Sequence, residues 1–321
     1  MEEKPYALID LHCDTLTDCK YTSGGETDTL DDPQRVLRLS NIPQGVHWAQ
    51  FYAVFIPDEY HGAEAVAYYE RNRDSFFRQT ERFSSRVLRC RTCDDLEEAF
   101  RTGRTAAFLS VENGSALAGD LDRVPLLAAD GVKAVTLTWN GENEIGSGHQ
   151  TGHGLSPFGK QVIPQLEKYG ILVDVSHLND AGFADLLEVA ERPFVVTHSN
   201  ARAVAAHKRN LTDGMIREMV RRKCLIGLNY FVAFLREDRK VESLDDLYRH
   251  VDHFLSLGAE KCLALGSDFD GAELPECLNS PEKAAGIYGY LLGRGLPEPV
   301  VSGILYQNAL DFLRRHESGL V

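Results

Sequence analysis

The most constraining feature of this 321-residue sequence is a series of short apolar runs separated by amphipathic segments. The runs are continuously apolar rather than alternating, as in Ile171-Leu172-Val173, which is typical of strands buried on both faces of a parallel sheet. We predict eight strands, at residues 6–12, 48–56, 105–111, 132–138, 171–176, 194–197, 224–229 and 262–266. Helices are predicted at residues 63–83, 116–129, 156–169, 179–190, 212–222, 244–257, 281–293 and 297–316.

An alternating series of strands and helices folds either as an open doubly wound sheet or as a closed eight-stranded barrel. No Gly-x-Gly-x-x-Gly follows the first predicted strand, so the dinucleotide-binding form of the open sheet loses its main support. The chain has no internal repeat and no linker rich in Pro, Gly or Ser. We therefore predict an α/β fold, with residues 1–321 forming a single TIM-type (β/α)8 barrel domain.

Charge and composition exclude several classes of partner. With 34 basic and 48 acidic side chains the net charge is −14, whereas nucleic acid and anionic membranes both require a basic surface. The first residues lack the basic start of a secretory signal, so we expect a cytoplasmic protein that contacts neither nucleic acid nor membrane. The 7 cysteines do not suggest a disulfide framework. Cys90 and Cys93 form one isolated C-x-x-C, for which buried thiols are favoured over a zinc or redox site.

Polar residues with metal-binding side chains gather where the predicted strands end. Five of the eight strands end in or run directly into such residues, which are His12, Asp14, Glu112, His177, His198 and Asp268. In a closed parallel barrel the carboxyl ends of all strands lie on one face, around the mouth where active sites are found. The sequence therefore predicts that these distant residues meet in one pocket.

The residue types in this cluster suit a pair of divalent cations. His12 and Asp14 lie two residues apart on a strand, so both side chains point to the same side and can bind one ion. His177 and His198 would bind the other ion, and Glu112 can bridge the two because a carboxylate offers two oxygens. Two cations lower the pKa of a shared water and so supply a hydroxide at neutral pH. Asp268 is the expected general acid–base.

A simpler interpretation is that these are structural residues. A single histidine at a strand end usually has a structural role. Asp14, Ser199 and Asp270 could be helix caps with no further function. Six such groups at the ends of five strands nevertheless favour a metal site. The other histidines are expected to face solvent, although His149 and His153 lie in a glycine-rich loop near the predicted mouth.

As a set, these motifs resemble the membrane (renal) dipeptidase family, whose members are metal-dependent peptidases with an amidohydrolase-like barrel. The resemblance covers nearly the whole chain. It rests on the segments Asp10–Asp14, Glu112–Gly114, Asp174–His177, His198–Arg202, Arg209–Asn210 and Gly266–Gly271, and on the spacing between His177, His198 and Arg209.

The resemblance implies a binuclear zinc dipeptidase, with two Zn²⁺ per chain on His12, Asp14, Glu112, His177 and His198. A metal-bridging hydroxide would attack the scissile carbonyl of a small dipeptide. It further implies that Arg209 binds the terminal carboxylate of the substrate, for which a guanidinium fork is well suited, and that Asp268 is the acid–base or amine-contacting group. Because the family accepts D-configured carboxyl-terminal residues, L,D-dipeptides are expected substrates.

The sequence departs from the animal members of the family at Trp139, where they place a substrate-contacting histidine. A tryptophan can pack against a substrate and donate one hydrogen bond, but it cannot accept a proton. Asn140, Asn143 and His153 are therefore candidates to assist the metal ions in stabilising the oxyanion. We expect the substrate contacts to come from Arg209, Trp139, Asn140, His153 and Tyr230.

Two other functions remain open at this stage. One is a different amidohydrolase-like reaction, on a lactone, a cyclic amide or an amine. The other is a metal-binding protein without catalytic activity. The family also often forms homodimers, which Tyr68, Tyr69, Tyr288 and Tyr290 could support, although packing between surface helices would explain the same residues.

Overall fold

The architecture is a closed barrel of eight parallel strands. The computed structural model describes residues 6–17, 21–22, 25–26 and 30–319. The barrel strands are β1 Tyr6–Cys13, β2 Val46–Phe55, β3 Thr105–Glu112, β4 Val132–Thr136, β5 Leu172–Asp174, β6 Val195–Val196, β7 Leu225–Leu228 and β8 Leu263–Leu265. Each strand pairs in parallel with the next, and β8 pairs with β1, which closes the ring. All eight predicted strands and the TIM-type barrel are confirmed.

The strand register determines which residues reach the mouth. Phe55 of β2 lies beside Glu112 of β3, Glu112 lies beside Thr136 of β4, and Thr136 lies beside Asp174 of β5. Because all strands run in the same direction, the residues at their carboxyl ends form one rim. The polar strand ends are therefore neighbours in space although they are far apart in the sequence.

Helices surround the barrel in the predicted alternation. They are α1 Gly62–Arg82, α2 Cys93–Arg101, α3 Val124–Asp130, α4 Pro157–Lys168, α5 Asp180–Val189, α6 Asp213–Arg221, α7 Val232–Leu235, α8 Leu244–Ser256, α9 Pro281–Ala285, α10 Ile287–Gly293, α11 Glu298–Ser302 and α12 Asn308–Ser318. Many begin at a side chain that accepts a hydrogen bond from the first turn, as at Thr92, Ser156, Asn179, Thr212, Ser243 and Ser280.

Three predicted helices are broken in the structure. The segment 116–129 begins with two 3₁₀ turns, Gly114–Leu117 and Leu121–Arg123, before α3 starts. The segment 281–293 divides at Gly286, and the segment 297–316 contains a π turn at Gly303–Gln307. Asn308 follows this π turn, and its amide donates hydrogen bonds to the carbonyls of Glu260 and Leu263. Tertiary contacts, rather than helical periodicity, therefore determine the backbone there.

The base of the barrel, at the amino ends of the strands, is closed by α12. Inward-facing residues of all eight strands form one apolar cluster with Ala309, Leu310, Phe312 and Leu313 of this helix. At the same end Lys133 is buried and its ammonium donates to Glu317 Oε1 at 2.6 Å and to the carbonyl of Arg91 at 3.0 Å. Glu317 also accepts from the backbone N–H of Cys93. The buried cation therefore has partners within the chain.

The sequence analysis missed an outer strand, Val87–Cys90, which pairs with β3 and leads into α2. Cys90 and Cys93 are both free, and burial raises the pKa of each thiol to about 12. The structure thus favours the simple interpretation of the C-x-x-C. Cys19 lies outside the described residues.

Two of the four tyrosines suggested as a dimer surface belong to the core, because Tyr68 and Tyr69 are 5% and 1% exposed. Tyr288 instead stacks on Tyr6 with 5.0 Å between ring centroids. Homodimerisation therefore stays a prediction. Within the described residues, every helix is too short or too polar to cross a membrane.

Candidate metal centre

The centre of the site is Glu112, at the carboxyl end of β3. Its Oε2 lies 3.4 Å from His12 Nε2, and its Oε1 lies 2.8 Å from His177 Nε2 and 3.6 Å from His198 Nε2. The side chains of these four residues are at most 9% exposed. The two carboxylate oxygens therefore face different histidines, as a ligand that spans two ions requires.

The remaining two acids complete the cluster from β1 and from the segment that follows β8. Asp14 Oδ2 lies 3.5 Å from His12 Nε2, and Asp268 Oδ1 lies 3.9 Å from the same nitrogen. Two overlapping sets have ligand atoms within 4.8 Å of one another: His12 with Glu112 and His198, and His12 with Asp14 and Asp268. His12 belongs to both sets, and Asp268 is close enough to be a ligand.

Hydrogen bonds at the Nδ1 atoms fix the orientation of two histidine rings. Nδ1 of His177 lies 2.9 Å from Asn140 Oδ1, which can only accept, so this nitrogen carries the proton. Nδ1 of His198 lies 2.9 Å from Thr197 Oγ1, whose own proton is donated to Asp174 Oδ2 at 2.7 Å. Both neutral rings therefore present an unprotonated Nε2 to the centre of the site.

This arrangement fits a cation. The Nε2 atoms of His177 and His198 are only 3.0 Å apart, and both carry lone pairs that face Glu112. Nε2 of His12 and Oδ1 of Asp14 are buried and have no hydrogen-bond partner among the described residues. Imidazole nitrogens and carboxylate oxygens are ligands for Zn²⁺ and similar divalent ions. The donor set therefore has the composition of a metal site.

The pKa shifts of these groups also fit a bound cation. Burial, followed by repulsion from Asp14, raises the pKa of Glu112 to about 8. Burial also raises the pKa of Asp268, and it lowers the pKa of His177 and of His198 well below the usual value. A bound divalent cation stabilises the ionised carboxylates and the neutral imidazoles, because metal binding competes with protons for the ligand atoms.

The backbone around the site is strained or closely packed at specific residues. His177, Asp268 and Asp270 have φ values of 67°, 64° and 67°, in the left-handed region that residues other than glycine rarely adopt. Such conformations concentrate at functional sites. At Gly271 a β-carbon would lie 1.8 Å from Asp14 Oδ2, so only glycine lets this carboxylate occupy its position.

Above these groups opens a cavity of about 610 Å³. Of the predicted substrate contacts, Trp139 and Asn140 line it, and Asn140 also positions His177. Asp268 lines it too and accepts a hydrogen bond from Asn229 Nδ2 at 3.0 Å. The predicted metal ligands Asp14, Glu112 and His177 line it as well.

Arg209 does not line this cavity; it lies next to His198 and Phe234 and lines a separate, small pocket. It is 5% exposed, its Nη2 donates to the carbonyl of His198 at 3.3 Å, and its buried Nε has no hydrogen-bond partner in the described part of the chain. Burial lowers its pKa to about 10, against the stabilising charges of Asp268 and Glu112. A buried guanidinium with unused donors is suited to an anionic ligand.

Besides Arg209, two other predicted substrate contacts lie outside the cavity wall. Tyr230 is 1% exposed and packs edge-on against Phe269 with 6.0 Å between the ring centroids, because the chain turns inward after β7. The side chain of His153 is 83% exposed, with its Nδ1 3.4 Å from Glu142 Oε2. Neither residue is part of the cavity wall that the described residues form. The amide of Asn143 is used in contacts between loops, because it donates to Asn113 Oδ1, after β3, and to the carbonyl of Leu137, after β4.

The structure also brings residues to the cavity that the sequence analysis did not select. His149 and His207 line it, with 6.0 Å between their ring centroids; His149 was expected near the mouth, whereas His207 was expected to face solvent. Phe231, which precedes the short helix α7, and Phe234, which lies within it, line the cavity as well. Their proximity depends on the paths of long loops, for which the sequence has no periodic signal.

Comparison with known proteins identifies a family and two relatives. The sequence model of a family described as "Membrane dipeptidase (Peptidase family M19)" matches residues 3–318. An "Uncharacterized protein in pqqA 5'region" of Klebsiella pneumoniae is 31% identical over 242 residues, which are 72% of this chain and 89% of that protein. "Dipeptidase tcpJ" of Claviceps purpurea is 26% identical over 293 residues, which are 87% of this chain and 69% of the relative.

The fold also matches a solved structure over nearly its full length. A metallopeptidase from Rhodobacter sphaeroides, crystallised with a phosphinate mimic of the dipeptide L-Ala-D-Ala, superimposes with a TM-score of 0.88. The two sequences are 23% identical, and the match covers 97% of this chain and 99% of the other. At this level of identity the likeness concerns the fold.

Proposed function

The chain belongs to the membrane dipeptidase family, peptidase family M19, and is a metallo-dipeptidase; from this premise we propose that it hydrolyses L,D-dipeptides with two zinc ions. His12 and Asp14 would hold one ion, His177 and His198 would hold the other, and Glu112 would bridge them. The observation that carries this proposal is the position of Glu112, whose two oxygens face His12 on one side and His177 and His198 on the other.

Two bound divalent cations would lower the pKa of a shared water and polarise the scissile carbonyl. The residues of the chain then have separate roles. Asp268 accepts the proton of the attacking water and donates it to the departing amine, which is general acid–base catalysis. Burial raises the pKa of Asp268, which favours the protonated form that donates to the departing amine. Asn140 and Thr197 hold the imidazoles of His177 and His198 in the tautomer that leaves Nε2 free.

Arg209 would bind the carboxylate at the end of the dipeptide. Its unpartnered Nε and its burial beside His198 support this role, because a charged hydrogen bond is strong in a site from which water is excluded. The preference for a D-configured carboxyl-terminal residue is suggested by the ligand of the Rhodobacter sphaeroides metallopeptidase. A cytoplasmic location and a homodimer stay predictions from the sequence.

The test combines metal content with turnover of L-Ala-D-Ala. Protein treated with a chelator should lose activity and regain it when two equivalents of Zn²⁺ are added. Full turnover by metal-free protein would exclude the mechanism.

A variant separates dipeptide hydrolysis from other reactions at the same centre. Arg209→Met should raise KM for L-Ala-D-Ala by roughly 100-fold, because it removes a charge-assisted hydrogen bond to the carboxylate. The same variant should leave zinc content unchanged. Lys208→Met, at an exposed neighbouring cation, is the matched control and should leave KM unchanged. An unaltered KM in Arg209→Met would instead favour a substrate that has no carboxylate.

A further inference from the structure

One side of the cavity is lined by a continuous run of aromatic and imidazole rings. The first part of this run lies at the carboxyl ends of β2, β4 and β5. Phe55 ends β2, Trp139 follows β4 and His177 follows β5. The ring centroids of Phe55 and Trp139 are 4.8 Å apart in an edge-to-face arrangement, and those of Trp139 and His177 are 6.2 Å apart. Phe55 and Trp139 are half-buried and face the cavity.

The second part of the run continues from His177 to β7. His149 lies 6.3 Å from His177 between ring centroids, His207 lies 6.0 Å from His149, and Phe234 lies 4.7 Å from His207. Phe231 packs edge-on against Phe234 at 4.8 Å. The run therefore begins at Phe55, at the end of β2, and ends at Phe231, after β7; on the other side of the closed ring β1 and β8 separate these two strands.

The position of Arg209 indicates which end of the run of rings each residue of a bound dipeptide would occupy. Its guanidinium carbon lies 5.2 Å from the ring centroid of Phe234, so a carboxylate bound there places the carboxyl-terminal residue beside Phe234 and His207. Each residue of an extended chain spans only about 3.5 Å. With the scissile carbonyl above Glu112, the amino-terminal residue then lies on the far side from Arg209, and its side chain faces Phe55 and Trp139.

The opposite side of the cavity is acidic. Asp14, Asp268, Asp270 and Glu273 line it, and the free ammonium of a dipeptide is attracted to this side. Arg239, the cation on the same rim, is paired with Glu273. With the ammonium on the acidic side, the amino-terminal side chain has the ring wall as its neighbour.

Resting on the proposed dipeptidase function, we propose that Phe55 and Trp139 form the subsite for the amino-terminal side chain and select large apolar residues there. The edge-to-face pair provides an apolar wall with no charged side chain of its own. A charged side chain placed against it would lose hydration without gaining a partner. A glycine at this position would leave the wall exposed to water.

The test is a series of dipeptides that share one carboxyl-terminal residue: Gly-D-Ala, L-Ala-D-Ala, L-Leu-D-Ala, L-Phe-D-Ala and L-Asp-D-Ala. We expect kcat/KM to rise with apolar size, so that L-Phe-D-Ala exceeds Gly-D-Ala at least about tenfold, and L-Asp-D-Ala not to exceed Gly-D-Ala. The ratio of kcat/KM for L-Phe-D-Ala to that for Gly-D-Ala is the quantity to measure, because it cancels any general loss of activity.

Trp139→Ala and Phe55→Ala should each lower this ratio about tenfold. Zinc content, measured in both variants, shows whether the metal centre is intact. Because Trp139 adjoins Asn140, Phe55→Leu serves as the second variant if Trp139→Ala loses zinc, and it should lower the ratio by less than Phe55→Ala. Tyr169→Ala, at an exposed aromatic residue outside the cavity, is the matched control and should leave the ratio unchanged.

Each outcome has a distinct meaning. If the zinc-loaded protein hydrolyses all five dipeptides with a ratio near one, or prefers L-Asp-D-Ala, the subsite assignment is overturned while the dipeptidase function stands. The assignment is also overturned if the ratio stays high in both ring variants with zinc retained. If the zinc-loaded protein hydrolyses none of the five, the proposed function itself fails, and the subsite fails with it.

Discussion

The two ends of the barrel differ in whether their buried charged groups have partners within the chain. At the base, Lys133 has two partners within 3.0 Å, one of which is Glu317, and α12 covers the surrounding apolar residues. At the mouth, Glu112 lies among imidazoles and carboxylates whose buried atoms at His12 and Asp14 have no hydrogen-bond partner in the described part of the chain.

The contrast separates residues that stabilise the fold from residues that perform the function. Removing one partner of a buried charge pair that is satisfied within the chain is costly, because the other charge is left buried without a partner. Buried charges that repel one another reduce the stability of the metal-free protein, and they are tolerated because a ligand from outside compensates them. The mouth should therefore respond to metal and to pH, whereas the base should respond mainly in its free energy of unfolding.

The largest expected effect follows from Glu112→Gln at the mouth. We expect hydrolysis to fall by a factor on the order of 10⁴, because the carboxylate proposed to bridge the two ions is lost, and we expect less zinc to be bound. The thermal midpoint of the metal-free protein should stay constant or rise, since a buried carboxylate is replaced by a neutral amide.

Glu167→Gln is the matched control at the base, where Glu167 accepts hydrogen bonds from the backbone N–H groups of Glu191 and Arg192. It should lower the free energy of unfolding by about 1 kcal/mol and leave kcat unchanged. Loss of activity in the control, or full activity in Glu112→Gln, would break the division between mouth and base.

The next largest effect is expected from Lys133→Ala at the base. Truncation leaves Glu317 without its cation and opens a gap beside Phe108, so the free energy of unfolding should fall by about 2–3 kcal/mol. Urea denaturation measures this change. Zinc affinity should remain that of the parent protein, and Lys168→Ala on the surface provides the comparison. A stability change below about 0.5 kcal/mol would show that the ion pair is not a structural element of the base.

A smaller effect should follow from Thr197→Val. This change removes the acceptor of the His198 Nδ1 proton and one of the donors to Asp174, so the imidazole loses its fixed orientation. Zinc affinity should fall about 10- to 100-fold, which competition with a chromophoric chelator can measure. Thr197→Ser keeps the hydroxyl and should restore the affinity. Equal affinity in the Val and Ser variants would assign Thr197 a packing role only.

The smallest effect concerns pH. Because the pKa of Glu112 is raised to about 8 from an ordinary value of 4.5, its contribution to the stability of the folded state is complete below pH 4.5 and is lost as the pH rises through 8. The thermal midpoint of the metal-free protein should therefore fall by a few degrees between pH 6.5 and pH 8.5.

The lowered pKa values of His177 and His198 act below pH 6.5, outside this interval. Against the effect of burial, the charges of Glu112 and Asp14 raise the pKa of His12. Its contribution to stability is therefore also lost as the pH rises above 6.5, in the same direction as that of Glu112. Differential scanning calorimetry should show a flatter pH dependence both in the zinc-loaded protein and in metal-free Glu112→Gln. A rise in the midpoint of the metal-free protein toward pH 8.5 would contradict the assigned pKa.

The sequence predicts the barrel well because both of its signals are local. Continuous apolar runs mark strands such as β5 and β6, and a polar residue after each run marks the rim. The outer strand Val87–Cys90 was not predicted because it has only four residues, and the exposed Arg89 interrupts its apolar run. The ligand types at the rim follow from the same reasoning, since parallel strand ends must converge.

The walls of the cavity could not be predicted in this way. His149 and His207 reach it through loops after β4 and β6 whose paths depend on tertiary contacts. Tyr230 is buried in the core although it lies only two residues after the end of β7. Burial of Arg209 likewise depends on Phe234, which lies on a different segment of the chain. Such placements are set by packing between distant segments, which no pattern within a single segment records.

The closure of the base by α12 has a consequence for synthesis of the protein. While the ribosome is still making the chain, the inward faces of the strands have no cover at the base, and β1 must wait for β8 before the ring can close. Until α12 has left the exit tunnel, the nascent barrel therefore presents an apolar opening to the cell, which is a surface that chaperones bind.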